Sequence, residues 1–72
     1  MIGACILTLW MEAIGRLHRL VPDDGCLVAE IGPVSVLLPP DLEETLRPHI
    51  GRKIGIIRVD DPTRPYRIRI AR

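Results

Sequence analysis

The chain has 72 residues, of which 47% are hydrophobic, and its formal net charge is +1. A segment of this length holds one domain at most, and we expect residues 1–72 to form a single small domain. With no Phe, one Trp and one Tyr, the core must consist of Ile, Leu and Val, which suit a pleated sheet.

The first eleven residues form an uncharged, largely apolar run. The run lacks the basic start of a signal peptide and is shorter than the roughly 20 apolar residues of a membrane span. We therefore expect a cytoplasmic protein without membrane contact, in which Cys5 and Cys26 are buried free thiols. Three placements of residues 1–11 are compatible with the sequence: they extend the first strand, they pair with another subunit, or they fold back onto their own domain. Another alternative is that the native product begins at Met11.

A long first strand is predicted over residues 5–21, where the pattern is extended and largely alternating. Gly15 within this pattern indicates a bulge or a sharp bend, and a change in the parity of the leucines indicates a second irregularity near His18. A strand bent in this way can join two sheets.

Two shorter strands are predicted at residues 26–31 and 34–38. They follow the turn signal Pro22-Asp23-Asp24-Gly25 and are joined by Gly32-Pro33, so we expect them to form a hairpin. Two prolines then end the sheet, and residues 41–47 are typical of a short helix with Asp41 as its cap.

The last third of the chain reads as a second hairpin. Residues 54–59 are rich in Ile and Val, residues 60–65 are turn formers, and residues 66–70 alternate strictly between apolar side chains and arginine. One face of the final strand is therefore expected to be apolar and the other to carry guanidinium groups.

This order of elements resembles the OB-fold, a small Greek-key barrel. The residues that carry the resemblance are Gly15 in the first strand, the helix at Asp41–Arg47 and the closing hairpin Ile54–Ile70. The resemblance extends over the whole chain but concerns only the order of its strands and helix. It implies an all-β, five-stranded barrel with one short helix between strands 3 and 4. It also implies a ligand face on strands 2 and 3, framed by the loops Pro22–Gly25 and Asp60–Pro65.

No catalytic constellation is recognisable. The only Ser is Ser35, in the middle of a predicted strand, and His18 and His49 lie on different elements. The spacing of the two Cys and two His residues matches no zinc finger or ribbon. We therefore expect a protein that is not an enzyme, with no metal site and no cofactor.

Basic side chains are concentrated near the C-terminus. Residues 1–51 hold three basic and seven acidic side chains, whereas residues 52–72 hold seven basic and two acidic ones. This asymmetry favours a nucleic-acid partner, single-stranded nucleic acid or structured RNA, bound through the basic C-terminal hairpin. The alternative is that the arginines pair with the acidic half of the same molecule. The candidate phosphate-binding residues are Arg16, Arg58, Arg64, Arg67 and Arg69.

Two features of the sequence weigh against this hypothesis. Each loop at the expected ligand face contains an Asp pair, residues 23–24 and 60–61, which would repel phosphate unless a cation bridges them. Aspartate is also an ordinary turn residue. Stacking aromatics are scarce, since only Trp10 and Tyr66 are present and Tyr66 has the parity of the core.

The second functional hypothesis is a protein-interaction module that assembles into a homo-oligomer. The apolar N-terminal strand exceeds what one small barrel needs, and an exposed apolar edge must be paired. Pairing with a second copy would bury Trp10, which is therefore a candidate for a stacking platform or an oligomer contact.

Overall fold

The computed structural model describes residues 4–70 of the chain. Strand residues make up 54% of it, and they form a single six-stranded sheet in the order β1-β4-β3-β2-β5-β6. The strands are β1 (Cys5–Ile6), β2 (Glu12–Asp23), β3 (Cys26–Ile31), β4 (Val34–Leu38), β5 (Lys53–Arg58) and β6 (Tyr66–Ile70).

Strand β2 is long and joins two halves of the sheet, as the sequence predicts. Its first part pairs antiparallel with β5 and its second part with β3. The register shifts between Leu17 and Arg19, which confirms the irregularity expected near His18. At Gly15 the strand runs so close to Gly32 that an added Cβ would lie 3.0 Å from the Gly32 nitrogen. The glycine thus permits two backbone segments to approach closely.

The predicted hairpins are both present. Strands β3 and β4 pair antiparallel, with Gly32 in the left-handed region at φ 55° in the connecting turn. Strands β5 and β6 pair antiparallel from Ile54 opposite Ile70 to Arg58 opposite Tyr66.

The helical segment consists of three short turns rather than one capped helix. A 3₁₀ turn at Pro40–Leu42 leads into α1 (Glu43–Leu46), and a second 3₁₀ turn follows at Arg47–His49. None of these turns has a side-chain cap, so the predicted capping role of Asp41 is not observed. Leu46 is fully buried and attaches the segment to the sheet.

The core is aliphatic, as the composition requires. Strands β2 to β5, the helical segment and Leu7 supply its buried residues, and Tyr66 and Ile68 of β6 pack against it while partly exposed. The curled sheet encloses it as a half-barrel, so the all-β class is confirmed, whereas the closed five-stranded barrel is not. The sixth strand, β1, was not foreseen as a separate element. No helix among residues 4–70 has the length and apolar character needed to cross a membrane. The buried hydrophobic residues are Leu7, Ala13, Leu17, Leu27, Ala29, Ile31, Val36, Leu38, Leu46, Ile54 and Ile56.

Candidate functional site

The N-terminal segment folds back onto its own domain. Strand β1 pairs parallel with β4, placing Cys5 opposite Val36. Leu7 then enters the core with 3% of its surface exposed, and Arg58 Nη1 donates a hydrogen bond to its carbonyl oxygen at 3.0 Å. Residues 5–7 are therefore part of the packed fold: β1 forms the edge of the sheet opposite to β6, and Leu7 after it contacts Arg58 of β5.

Trp10 lies in a tight turn between β1 and β2, not in a strand. Its φ is 66°, in the left-handed region that bulky residues rarely adopt, and 62% of its surface is exposed. Backbone hydrogen bonds hold the turn in place: Trp10 N–H donates to Arg58 O at 2.7 Å, and Arg58 N–H donates to Met11 O at 3.1 Å. The indole is thus presented to solvent by a backbone that is fixed to the end of β5.

An apolar groove of about 280 Å³ adjoins this turn. Cys5, Met11, Ile14 and Val34 line it and are all exposed, while Leu7 and Val36 contribute core surface. Cys5 is therefore not the buried thiol that was expected, and Cys26 is only half-buried. We use the name apolar N-terminal surface for the turn residues and the exposed groove residues together. Its members are Cys5, Leu9, Trp10, Met11, Ile14 and Val34.

The apolar N-terminal surface contains most of the large hydrophobic side chains that the described chain exposes. The exceptions are Ile6, which lies next to it in sequence, and Ile50 and Ile70. Clustered exposure of this kind marks interaction sites, whereas scattered exposure is ordinary. Sequence reasoning singled out Trp10 but missed Ile14 and Val34. Ile14 could have been found from the sequence: Ala13 and Ile14 are adjacent apolar residues in a strand, so one of the two must face away from the core.

The two arginines of β6 are paired with carboxylates of the same chain. Arg67 Nη2 lies 3.1 Å from Asp61 Oδ2, and its Nη1 donates to the Arg64 carbonyl at 2.7 Å. Arg69 Nη2 lies 3.2 Å from Glu12 Oε2. The alternative to phosphate binding, that the hairpin arginines pair with the acidic half of the molecule, therefore applies to Arg69, whereas Arg67 pairs with a carboxylate of the C-terminal segment itself.

The other three predicted arginines differ from one another. Arg58 is half-buried, with its guanidinium 5.9 Å from the centre of the Tyr66 ring, so it serves the fold. Arg16 and Arg64 are exposed and form no ion pair with a described residue. Arg16 lies directly opposite Lys53 across the β2–β5 ladder.

The face of β3 and β4, the ligand face that the OB-fold resemblance implies, carries none of the five predicted arginines. Leu27, Ala29 and Ile31 of β3 are buried, so Val28 and Glu30 occupy its outer face. Glu30 pairs with Arg19 at 2.7 Å. The five candidate arginines lie instead on β2, β5, β6 and the loop that joins β5 to β6.

The Asp60–Pro65 loop is organised by Asp61. Its Oδ1 accepts hydrogen bonds from the Thr63 hydroxyl at 2.8 Å, the Thr63 N–H at 3.0 Å and the Arg64 N–H at 3.3 Å. The Thr63 hydroxyl, followed by the Arg67 guanidinium, lowers the pKa of Asp61 from 3.8 to about 2. The Asp61 carboxylate therefore stabilises the turn by accepting these hydrogen bonds. Among residues 4–70 no three His, Cys, Asp or Glu side chains are grouped so that they could hold a metal ion.

A cleft of about 390 Å³ separates this loop and β6 from the helical segment. Leu42 and Ile68, which both pack against the core, contribute to its apolar lining. Asp41 lies on the helical wall, whereas Arg64 and Arg67 lie on the opposite wall. The structure thus brings two of the predicted arginines together at an opening of the half-barrel.

Comparison with known proteins provides no relative from which a function could be inferred. No protein-family model, no curated protein and no solved structure matches the chain.

Proposed function

We propose that the protein is a non-enzymatic assembly module that binds a second copy of itself through the apolar N-terminal surface. The observation that carries the proposal is Trp10, which is exposed in a left-handed turn. Such a backbone costs of the order of 1–3 kcal/mol and persists only where the surroundings enforce it. Tryptophan is enriched among the residues that dominate binding energy at interfaces.

The second copy is favoured by the arrangement of anchor and groove. A two-fold interface requires a self-complementary patch, in which one residue contacts another and the reverse contact is made by the partner. Trp10 lies beside the groove formed by Met11, Ile14 and Val34, so each copy offers both an anchor and a place to bury one. A chain of this length also has a small core, and association is a common means of stabilising such domains.

Sedimentation velocity over a range of protein concentrations tests the proposal. We expect wild-type protein to form a dimer and the Trp10→Asn variant to be monomeric, because asparagine tolerates the left-handed backbone but removes the indole. Ile50→Asn is the matched control, since Ile50 is also exposed but lies outside the apolar N-terminal surface. A monomeric wild-type protein at about 100 μM, or a Trp10→Asn variant that still dimerises, would contradict the proposal.

Nucleic-acid binding is the second candidate function, and one specific observation favours it. Arg16 and Lys53 lie directly opposite each other on adjacent strands, and like charges in this position destabilise a sheet unless an anion offsets them. Arg69 lies on the same side of the sheet, opposite Gly55, but its guanidinium already pairs with Glu12. The resemblance of the element order to the OB-fold agrees with this candidate but is a weak warrant for function.

Fluorescence anisotropy with labelled single-stranded DNA and RNA distinguishes this candidate. If it is right, binding is detectable at low salt, weakens steeply as salt rises, and is lost when Arg16→Glu is combined with Lys53→Glu. Charge reversal at Arg47, which already pairs with Glu43, serves as the control. No binding at low salt would remove the nucleic-acid candidate and leave the assembly proposal unaffected.

A further inference from the structure

The half-barrel leaves one edge of β6 without a partner strand among residues 4–70. The direction of its free peptide groups follows from the register. Val59 N–H donates to Pro65 O at 2.7 Å, and these two residues continue the β5–β6 ladder by one position. Hydrogen-bonded pairs alternate along an antiparallel ladder, so the N–H and C=O groups of Tyr66, Ile68 and Ile70 point away from β5.

The cleft lies along the first half of this free edge. Tyr66, Arg67 and Ile68 line one wall, and residues from Pro39 to Thr45 line the other. Its volume of about 390 Å³ falls within the range of small-ligand sites. A free strand edge beside a cleft of this size is the arrangement used in recognition by strand addition, in which an extended peptide supplies the missing hydrogen bonds.

The charges of the cleft indicate which peptide side chains it accepts. Arg64 is exposed and has no ion-pair partner among the described residues, so it favours a carboxylate. Asp41 on the opposite wall disfavours one, which confines the acidic residue to the Arg64 side. The apolar surface of Leu42 and Ile68 suits an aliphatic side chain.

We propose that the cleft binds an extended peptide segment of a partner protein, which adds to the free edge of β6. The peptide main chain pairs with the outward peptide groups of Tyr66 and Ile68. One aliphatic side chain packs over Leu42, and an acidic side chain on the same peptide pairs with Arg64. This site goes beyond the assembly proposal, because it uses the opposite side of β6 from the β5 ladder and none of the apolar N-terminal surface.

Selection of a randomised heptapeptide library displayed on phage, followed by fluorescence anisotropy of the enriched peptides, tests the proposal. We expect enriched sequences to combine alternating aliphatic residues with one acidic residue. Arg64→Glu should weaken their binding at least tenfold, because the carboxylate then meets a like charge. Arg52→Glu makes the same charge change at an exposed residue outside the cleft and should leave binding unchanged.

A backbone variant separates strand addition from binding by side chains alone. N-methylation of Ile68, introduced by peptide ligation at the Gly25–Cys26 junction, removes one outward N–H donor without altering any side chain. We expect at least a tenfold loss of peptide affinity with an unchanged melting temperature. N-methylation of Ile70, whose N–H points outward but which does not line the cleft, should preserve binding.

Several outcomes would overturn the proposal. One is the absence of any enriched peptide after selection. Another is an enriched peptide whose affinity is the same for wild type, for Arg64→Glu and for protein N-methylated at Ile68. Enriched peptides displaced by single-stranded RNA but insensitive to both cleft variants would assign their binding to the basic face instead.

Discussion

Substitution of Gly15 by alanine tests the close approach of β2 to the turn between β3 and β4. An added Cβ would lie 3.0 Å from the Gly32 nitrogen and 3.1 Å from its Cα, and both are backbone atoms that cannot move without displacing the β3–β4 turn. Overpacking of this kind costs typically about 1–3 kcal/mol. Alanine also restricts the unfolded chain, which stabilises the protein by about 0.4–1 kcal/mol, so the net loss is about 1.3 kcal/mol. For a domain of this size that corresponds to a fall in melting temperature of about 5–10 °C.

Gly55 offers a matched control for the same change. Its added Cβ would lie 3.1 Å from Glu12 Oε2, the far end of a flexible side chain. The carboxylate can swing away at the cost of its exposed ion pair with Arg69, which is worth about 0–1 kcal/mol. We therefore expect Gly55→Ala to stay within about 0.5 kcal/mol of wild type.

Thermal unfolding followed by circular dichroism, with all variants at one protein concentration, measures both effects. A Gly15→Ala variant that melts at or above the wild-type temperature would refute the close approach of Gly15 to Gly32. If Gly15→Ala and Gly55→Ala lower the melting temperature equally, the loss of stability does not depend on whether the added Cβ meets backbone atoms or a flexible side chain.

Three further predictions concern the core, the N-terminal segment and the loop before β6. Leu46→Ala should lower the free energy of unfolding by about 2–5 kcal/mol, because Leu46 is fully buried; urea denaturation measures this, and a loss below 1 kcal/mol would contradict its place in the core. Arg58→Met removes the donor to the Leu7 carbonyl, so amide exchange at residues 5–7 should accelerate while β3 is unaffected; uniform acceleration would argue against a local anchor. The Asp61 carboxyl should titrate near pH 2 by carbon NMR, and a midpoint near 3.8 would exclude its contacts with Thr63 and Arg67. Because this pKa lies below the unfolded value, the stability contributed by Asp61 should be present above about pH 4 and lost as the pH falls toward 2, and Asp61→Asn should abolish that dependence.

The strands of the C-terminal hairpin follow directly from the order of residues. Tyr66 and Ile68 alternate with arginines, and burial of one face of the sheet then leaves a single register. The irregularity near His18 was also predictable, because a change of parity is a local signal. At Gly15 the ladder with β5 keeps its register, and the glycine instead permits the close approach of Gly32. The hairpin strands and the irregularity near His18 can both be predicted from local sequence, without knowing which distant segments of the chain come into contact.

The turn that presents Trp10 was not predictable in the same way. A tryptophan at positive φ contradicts residue preference, and neither Gly nor Asn marks the position. Tertiary contacts override preference there, since the backbone of Arg58 holds the turn in place. The pairing of Arg69 with Glu12 joins residues 57 positions apart and depends on the pairing of β2, β5 and β6, which no local pattern contains.

The division of β2 between two partners has a consequence for how the chain folds. Its second half meets β3 across a tight turn, so this hairpin can form as soon as Ile31 has been synthesised. Its first half must wait for β5, with Glu12 pairing with Ile57 across a long loop whose closure costs entropy before any contact repays it. We expect the β2–β3–β4 meander to form rapidly and the docking of the β5–β6 hairpin to limit the folding rate. During that interval Ala13 and its neighbours are exposed, and the chain is most prone to aggregate before its last strand is in place.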